Sequence, residues 1–168
     1  MTSPDNNDEQ TIALKEVPAL TIASVQSTGS FERLTQVFMD LFRWVLINGG
    51  KVSSYPMALF PAPPGEIPAE GVRFEACIPI DTESDIKPGE EVSIRQLPAC
   101  TVAFTRHQGG FGEVGRTYDR LLEWVADNNY EVAGPSRELY LTNPMQTEEG
   151  ELVTEIQIPV KKAGSESA

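Results

Sequence analysis

The most constraining feature of this chain is that most of it is written twice. Shifted by 80 residues, Val17 to Ile80 aligns with Leu97 to Val160 without a gap, and 16 of the 64 pairs are identical. They include Pro18/Pro98, Ala19/Ala99, Gly29/Gly109, Trp44/Trp124, Asn48/Asn128, Glu75/Glu155 and Pro79/Pro159. A constant shift keeps every element in the same order, so the chain must fold as a duplicated module.

Each half carries the same signals. LTIASVQ and CTVAFTR are β-branched, apolar runs of strand length, each followed by a glycine turn. After the turn, Leu34, Val37, Phe38, Leu41 and Val45 recur at helical spacing, as do Phe111, Val114, Tyr118, Leu121 and Val125 in the second half. Ser30 suits the N-cap of the first helix, while Gly49-Gly50 and Asn128-Asn129 can supply the left-handed residue that ends each one. A short strand follows (MALF, ELYL), then a loop and a closing strand (VRFEACIPI, LVTEIQIPV). The expected fold class is α+β: duplicated strand-helix-strand-strand modules about a pseudo-twofold, mostly antiparallel sheet, helices on one face and a ligand groove on the other. The expected boundaries are a tail at 1–11, a first module at 12–80, a linker at 81–91, a second module at 92–162 and a tail at 163–168.

Composition narrows the function. With 13 Lys and Arg against 25 Asp and Glu, the formal charge is −12. Such a chain repels the phosphates of nucleic acid and anionic membrane surfaces, so direct binding to either is not expected. The apolar run Trp44-Val45-Leu46-Ile47 is far too short to span a bilayer. MTSPDNNDEQ lacks the basic start and apolar stretch of a signal peptide, which points to the cytoplasm.

No cofactor or metal is expected. Cys77 and Cys100 match no zinc or iron-sulfur spacing and read as reduced thiols. The acidic run Glu148-Glu149-Glu151 lacks the alternating oxygen ligands of a calcium loop. His107 is the sole histidine, and reads as a strand-end residue before a turn. Trp44 and Trp124, late in their helices, read as packing residues.

Strand alternation nominates the candidate site. In TEIQI, Ile156 and Ile158 share one face and Glu155 and Gln157 the other; Glu75 stands in the same relation to Ala76 and Ile78. In ELYL and MALF, Tyr140 and Phe60 turn away from their leucines. The expectation is that Glu155, Tyr140, Glu75 and Phe60 converge on the helix-free face. An aromatic, acidic pocket of this kind suits a lipophilic cation. A glutamate held among such aromatics would have its pKa raised by desolvation.

The paired openings EVPALTIASV and QLPACTVAFTRH, the GSF and GGF turns, the helix YDRLLEWVADNNY, GPSRELYL with a following Asn-Pro, and the closing ELVTEIQIPV resemble the GyrI-like small-molecule-binding domain. This is the effector-binding domain of multidrug-responsive and AraC-type regulators, and the resemblance spans roughly residues 12 to 162. It implies two modules around a central groove for aromatic or cationic compounds, with Glu155 contacting the ligand and Tyr140 the matching aromatic. The implied function is binding or sequestration of such compounds in drug or toxin resistance or sensing. Two alternatives come with it: hydrolysis of cyclopropane-bearing toxins through the groove glutamate and Tyr140, and a protein-interaction role such as gyrase inhibition. The Pro-rich PAPPGEIPAEG loop, and GGF in place of the more frequent Gly-Pro-Tyr turn, depart from the family pattern.

Overall fold

Proline has no amide hydrogen to give a strand ladder, and each Pro-Ala pair of the repeat interrupts what reads as one long opening strand. The structure, a computed structural model, describes residues 11–61, 72–83, 85–109, 114–142 and 147–164. Most of both expected tails, the Pro-rich loop beyond Pro61, Phe111 and the Asn143-Pro144 pair lie outside the described residues. In chain order the elements are β1 (Ala13–Val17), β2 (Leu20–Gly29), α1 (Phe31–Ile47), β3 (Met57–Phe60), β4 (Val72–Pro79) and β5 (Ser93–Leu97). The second half continues with β6 (Cys100–Gln108), α2 (Val114–Asp127), β7 (Tyr130–Val132), β8 (Ser136–Tyr140) and β9 (Val153–Lys162). The mixed α+β class expected from the sequence is the one observed.

The chain divides into two compact units, passing from one to the other at the Pro-Ala pairs. The first unit is Pro18–Ala99; the second joins the residues up to Val17 to those from Cys100 onward. In the first unit the antiparallel strand order is β3-β4-β2-β5, and in the second it is β8-β9-β6-β1, with β7 pairing the end of β9. β1 thus pairs with β6, with Val17 opposite Cys100, and β5 pairs with β2, with Leu97 opposite Leu20. These registers are equivalent under the 80-residue shift. Module boundaries drawn along the sequence at 12–80 and 92–162 differ from the units at their leading strands, because each leading strand completes the sheet of the other half's unit.

Within each unit the helix buries its apolar stripe on its own sheet. Leu34, Val37, Leu41 and Val45 of α1 are buried, and α1 packs against β2 and β4. On α2, Tyr118, Leu121 and Val125 form one cluster with Ala103, Ile156, Ile158 and Val160. Ser30 caps α1, its side chain accepting from the Arg33 amide at 3.4 Å. The identities Trp44/Trp124 and Asn48/Asn128 have a shared cause at the helix ends. The Asn48 side chain donates to the Trp44 carbonyl at 2.8 Å, and Asn128 to the Trp124 carbonyl at 2.9 Å, satisfying carbonyls that run out of helical partners. The next residue is left-handed in both halves, Gly49 at φ 82° and Asn129 at φ 64°.

Candidate ligand-binding site

The closing-strand glutamates occupy the helix-free faces, but each arrives already paired. In the second unit Lys15 of β1 donates to Glu155 Oε2 at 2.7 Å, Arg106 of β6 to Oε1 at 3.3 Å, and Gln157 to Oε2 at 2.7 Å. Lys15 also lies over the Phe104 ring at 4.2 Å. Burial pushes the Glu155 pKa up, but the Lys15 and Gln157 hydrogen bonds, the Lys15 charge and Arg106 outweigh it and hold the group below the usual carboxylate value. In the first unit Arg95 of β5 grips Glu75 with two hydrogen bonds, at 2.5 and 3.1 Å. Lys15 and Arg95 are themselves 80 residues apart, so the leading strand delivers one basic partner to each glutamate.

Two expectations for this face are corrected. Directly opposed residues of an antiparallel pair point to the same side of the sheet. Glu155 lies opposite Leu139, whereas Tyr140 lies opposite Thr154. Tyr140 and Glu155 therefore stand on opposite faces, as do Phe60 and Glu75, since it is Leu59 that opposes Glu75. The expected raised pKa also fails for Glu155, because two cations surround it rather than aromatic rings.

A raised carboxyl does exist, on the helix-packed side. Ser136, Glu138 and Tyr140 of β8 face Tyr118 of α2, and all four are buried. Tyr118 donates to Glu138 Oε2 at 2.7 Å and Tyr140 donates to Oε1 at 3.0 Å. Desolvation of Glu138 outweighs both phenol hydrogen bonds, so its pKa is raised and the neutral acid is favoured. Burial likewise drives the Tyr118 and Tyr140 phenols well above their ordinary value, with the Glu138 charge adding to it. Beside this group, His107 Nδ1 lies 2.8 Å from Thr117 Oγ1, and Thr105 Oγ1 donates to the Thr11 carbonyl at 2.8 Å. His107 is thus a buried strand residue bonded to the helix above it.

The repeat supplies an internal control for this layer. At the positions equivalent to Thr105, Thr117, Tyr118, Glu138, Tyr140 and Thr154, the first unit carries Val25, Val37, Phe38, Ala58, Phe60 and Phe74. Strand registers match between the units: Ser27 opposes Phe74 as His107 opposes Thr154. Equivalent strand and helix positions therefore carry mainly apolar side chains in one unit, with Ser27 in place of His107, and a hydrogen-bonding group in the other. Buried polar groups do not strengthen a core that apolar side chains can fill, so the second unit's layer carries a desolvation cost that the first unit's does not.

Glu138 was not among the residues nominated by the sequence. The signal available was its place two residues from Tyr140 in SRELY, on the same strand face, with alanine at the equivalent position. Both cysteines are free thiols. Among the described residues no helix is long and apolar enough to cross a membrane, and no three His, Cys, Asp or Glu residues group as metal ligands.

Comparison with known proteins agrees with this architecture. Over 110 residues the chain is 30% identical to a DNA gyrase inhibitor of Erwinia billingiae (strain Eb661), which covers 64% of this chain and 70% of that protein. The C-terminal domain of EcmrR superposes with a TM-score of 0.78 at 24% identity, covering 91% of this chain and 98% of that domain. In the EcmrR–DNA complex the TM-score is 0.81, and this chain spans 58% of the longer EcmrR chain. SAV2435 bound to tetraphenylphosphonium superposes with a TM-score of 0.56 at 17% identity, over 90% of this chain and 94% of that one. At such identities the solved structures speak for the fold alone. The family model for the GyrI-like small molecule binding domain matches residues 10–161, and the chain belongs to that family.

Proposed function

We propose that the second unit binds small lipophilic or aromatic cations, with Glu138 as the counter-charge and Tyr118 and Tyr140 as the aromatic groups that hold it. The observation that carries this reading is the buried Glu138 carboxyl between two phenols, where the duplicated unit has alanine between two phenylalanines. In a site with little water, a carboxylate attracts a cation far more strongly than it does at the surface, and aromatic faces add to the attraction. Tetraphenylphosphonium bound to SAV2435, a protein of the same fold, is a ligand of this chemical kind. Tyr140 keeps the ligand-facing role read from the sequence. Glu155, Glu75 and Phe60 take supporting places, the glutamates within their ion pairs and Phe60 as the apolar counterpart of Tyr140. Sequestration or sensing of such compounds in the cytoplasm is the role this chemistry serves.

Tetraphenylphosphonium titration tests the reading. Glu138→Gln is expected to weaken binding about tenfold or more, because the phosphonium has no hydrogen to donate and its attraction to Glu138 is the ion pair in a site with little water. Glu155→Gln is expected to leave binding within about twofold. The reverse pattern would move the site to the helix-free face.

A second reading rests on the raised pKa of Glu138. A carboxylic acid that keeps its proton to higher pH than an exposed glutamate is a better proton donor there: Glu138 gives its proton to the electron-accepting group of a strained cyclopropane as the ring C–C bond breaks, water forms the new C–O bond at the ring carbon and returns a proton to the carboxylate, and Tyr140 steadies the developing charge. Turnover of such an electrophile, reduced about 100-fold by Glu138→Gln, would support hydrolysis over sequestration.

A further inference from the structure

Thr154 is completely buried, and its Oγ1 has no hydrogen-bond partner. It lies on β9 between His107 of β6 and Tyr140 of β8, directly opposite each in register, on the face that carries Glu138. Tyr140 donates its hydroxyl hydrogen bond to Glu138, and the His107 ring is joined to Thr117. A buried hydroxyl left without a partner is rare and destabilising. The fold does not require a hydroxyl here, because the equivalent residue of the first unit is Phe74, also buried. Exchanging a phenyl ring for a threonine both removes bulk beside Glu138 and leaves one oxygen able to accept a hydrogen bond.

We infer that Thr154 is a specificity-determining residue of the Glu138 site, and that the site selects primary or secondary ammonium ions, which carry two or more N–H donors, over tertiary and quaternary ones. The inference rests on the cation-binding reading above. One N–H of the ligand meets the Glu138 carboxylate and a second meets Thr154 Oγ1, two residues that are diagonal neighbours on adjacent strands, a spacing of roughly 7–8 Å between backbones that side chains and one small cationic centre can close. A quaternary ion offers neither donor, and a tertiary ammonium offers only one.

Three cations of similar shape separate the two contacts: benzyltrimethylammonium, benzyldimethylammonium and benzylmethylammonium, with no, one and two N–H donors. Calorimetric titration of the full chain at pH 7 is expected to show a gain in affinity at each step, about threefold to tenfold for the second. In Thr154→Val the second gain should vanish and the first remain. In Glu138→Gln the first should vanish as well. Thr154→Ser, which keeps the hydroxyl, should keep the second gain. Because valine has nearly the shape of threonine, the unliganded melting temperature of Thr154→Val should not fall, which separates ligand contact from folding. Equal affinity of the one- and two-donor ions for the wild-type chain, or a second gain that survives Thr154→Val, overturns the role of Thr154 while leaving cation binding intact. Failure of all three cations to bind overturns both.

Discussion

The phenol of Tyr118 donates a 2.7 Å hydrogen bond to the buried carboxyl of Glu138, and 80 residues earlier the same two positions hold Phe38 and Ala58. Removing one partner of such a bond leaves the other buried and unsatisfied, whereas removing both restores an arrangement that the first unit already uses. Tyr118→Phe alone is expected to cost about 1–2 kcal/mol, the usual penalty for an orphaned buried group. Glu138→Ala and Tyr140→Phe added to it should cost less than the separate changes together. The coupling in a Tyr118→Phe, Glu138→Ala cycle should be on the order of 0.5–3 kcal/mol by urea denaturation. Strict additivity would mean that the cluster is three independent residues.

The two buried glutamates of the second unit should act on stability with opposite sign. Glu138 has its folded pKa raised, so its contribution is fully present below the ordinary carboxylate range. It is lost as pH rises, because the unfolded carboxyl ionises before the folded one can. Glu155 has its folded pKa lowered, so its contribution is present above the ordinary range and is lost as pH falls through the depressed value. Urea midpoints across pH 3 to 9, roughly the span over which shifted carboxyls titrate, should show Glu138→Gln removing a decline on the neutral side. Glu155→Gln should remove part of the acid-side loss. Parallel profiles for both variants would contradict these assignments.

Much of the fold was legible because periodicity reports it directly. The helices, MALF, the closing strands, the Ser30 cap and the left-handed ends at Gly49 and Asn129 all follow from local pattern, and the repeat fixed their order. The placement of β1 and β5 was not legible in this way. Ala13–Val17 and Ser93–Leu97 are short strands ahead of a Pro-Ala pair, and which sheet they join is decided by long-range pairing that no local period encodes. Alternation separated Tyr140 from Leu139 and Phe60 from Leu59, but read both rings onto the face of the glutamates, whereas register places them on the other face. The polar groups beneath the second helix hold one another there: Glu138 by Tyr118 and Tyr140, His107 by Thr117. Reading Thr105, Thr117, Tyr118, Glu138, Tyr140 and Thr154 against their apolar counterparts 80 positions away finds the layer without coordinates.

The helix ends offer a test confined to backbone conformation. Gly49 has φ 82°, and a Cβ added there meets nothing within 4 Å, so Gly49→Ala should act only through the left-handed backbone. The expected cost is about 1 kcal/mol. At the equivalent Asn129, with φ 64°, Asn129→Gly should stabilise by a few tenths of a kcal/mol at about that scale, and Asn129→Ala should destabilise. Melting temperatures of the three variants decide it. A neutral Gly49→Ala would show that the turn relaxes without cost.

Proton release should accompany ligand binding if Glu138 is the counter-charge. In the free protein its pKa is raised by burial, so Glu138 keeps its proton to higher pH than an exposed glutamate does. A bound cation favours the carboxylate and lowers that pKa, and the proton leaves. Tetraphenylphosphonium does not titrate, so any proton exchanged comes from the protein. Calorimetry in buffers of different ionisation enthalpy should therefore give a net release of between zero and one proton per ligand, largest in the window between the liganded and free pKa values. Affinity should rise with pH across the same window and level off above it, because deprotonation no longer opposes binding. Glu138→Gln should abolish both the release and the pH dependence. The stoichiometry should be one ligand per chain, since the first unit presents Ala58 where the second presents Glu138. Two equivalent sites per chain, or a pH dependence that persists in Glu138→Gln and disappears in Glu155→Gln, would place the ligand charge on a different carboxylate.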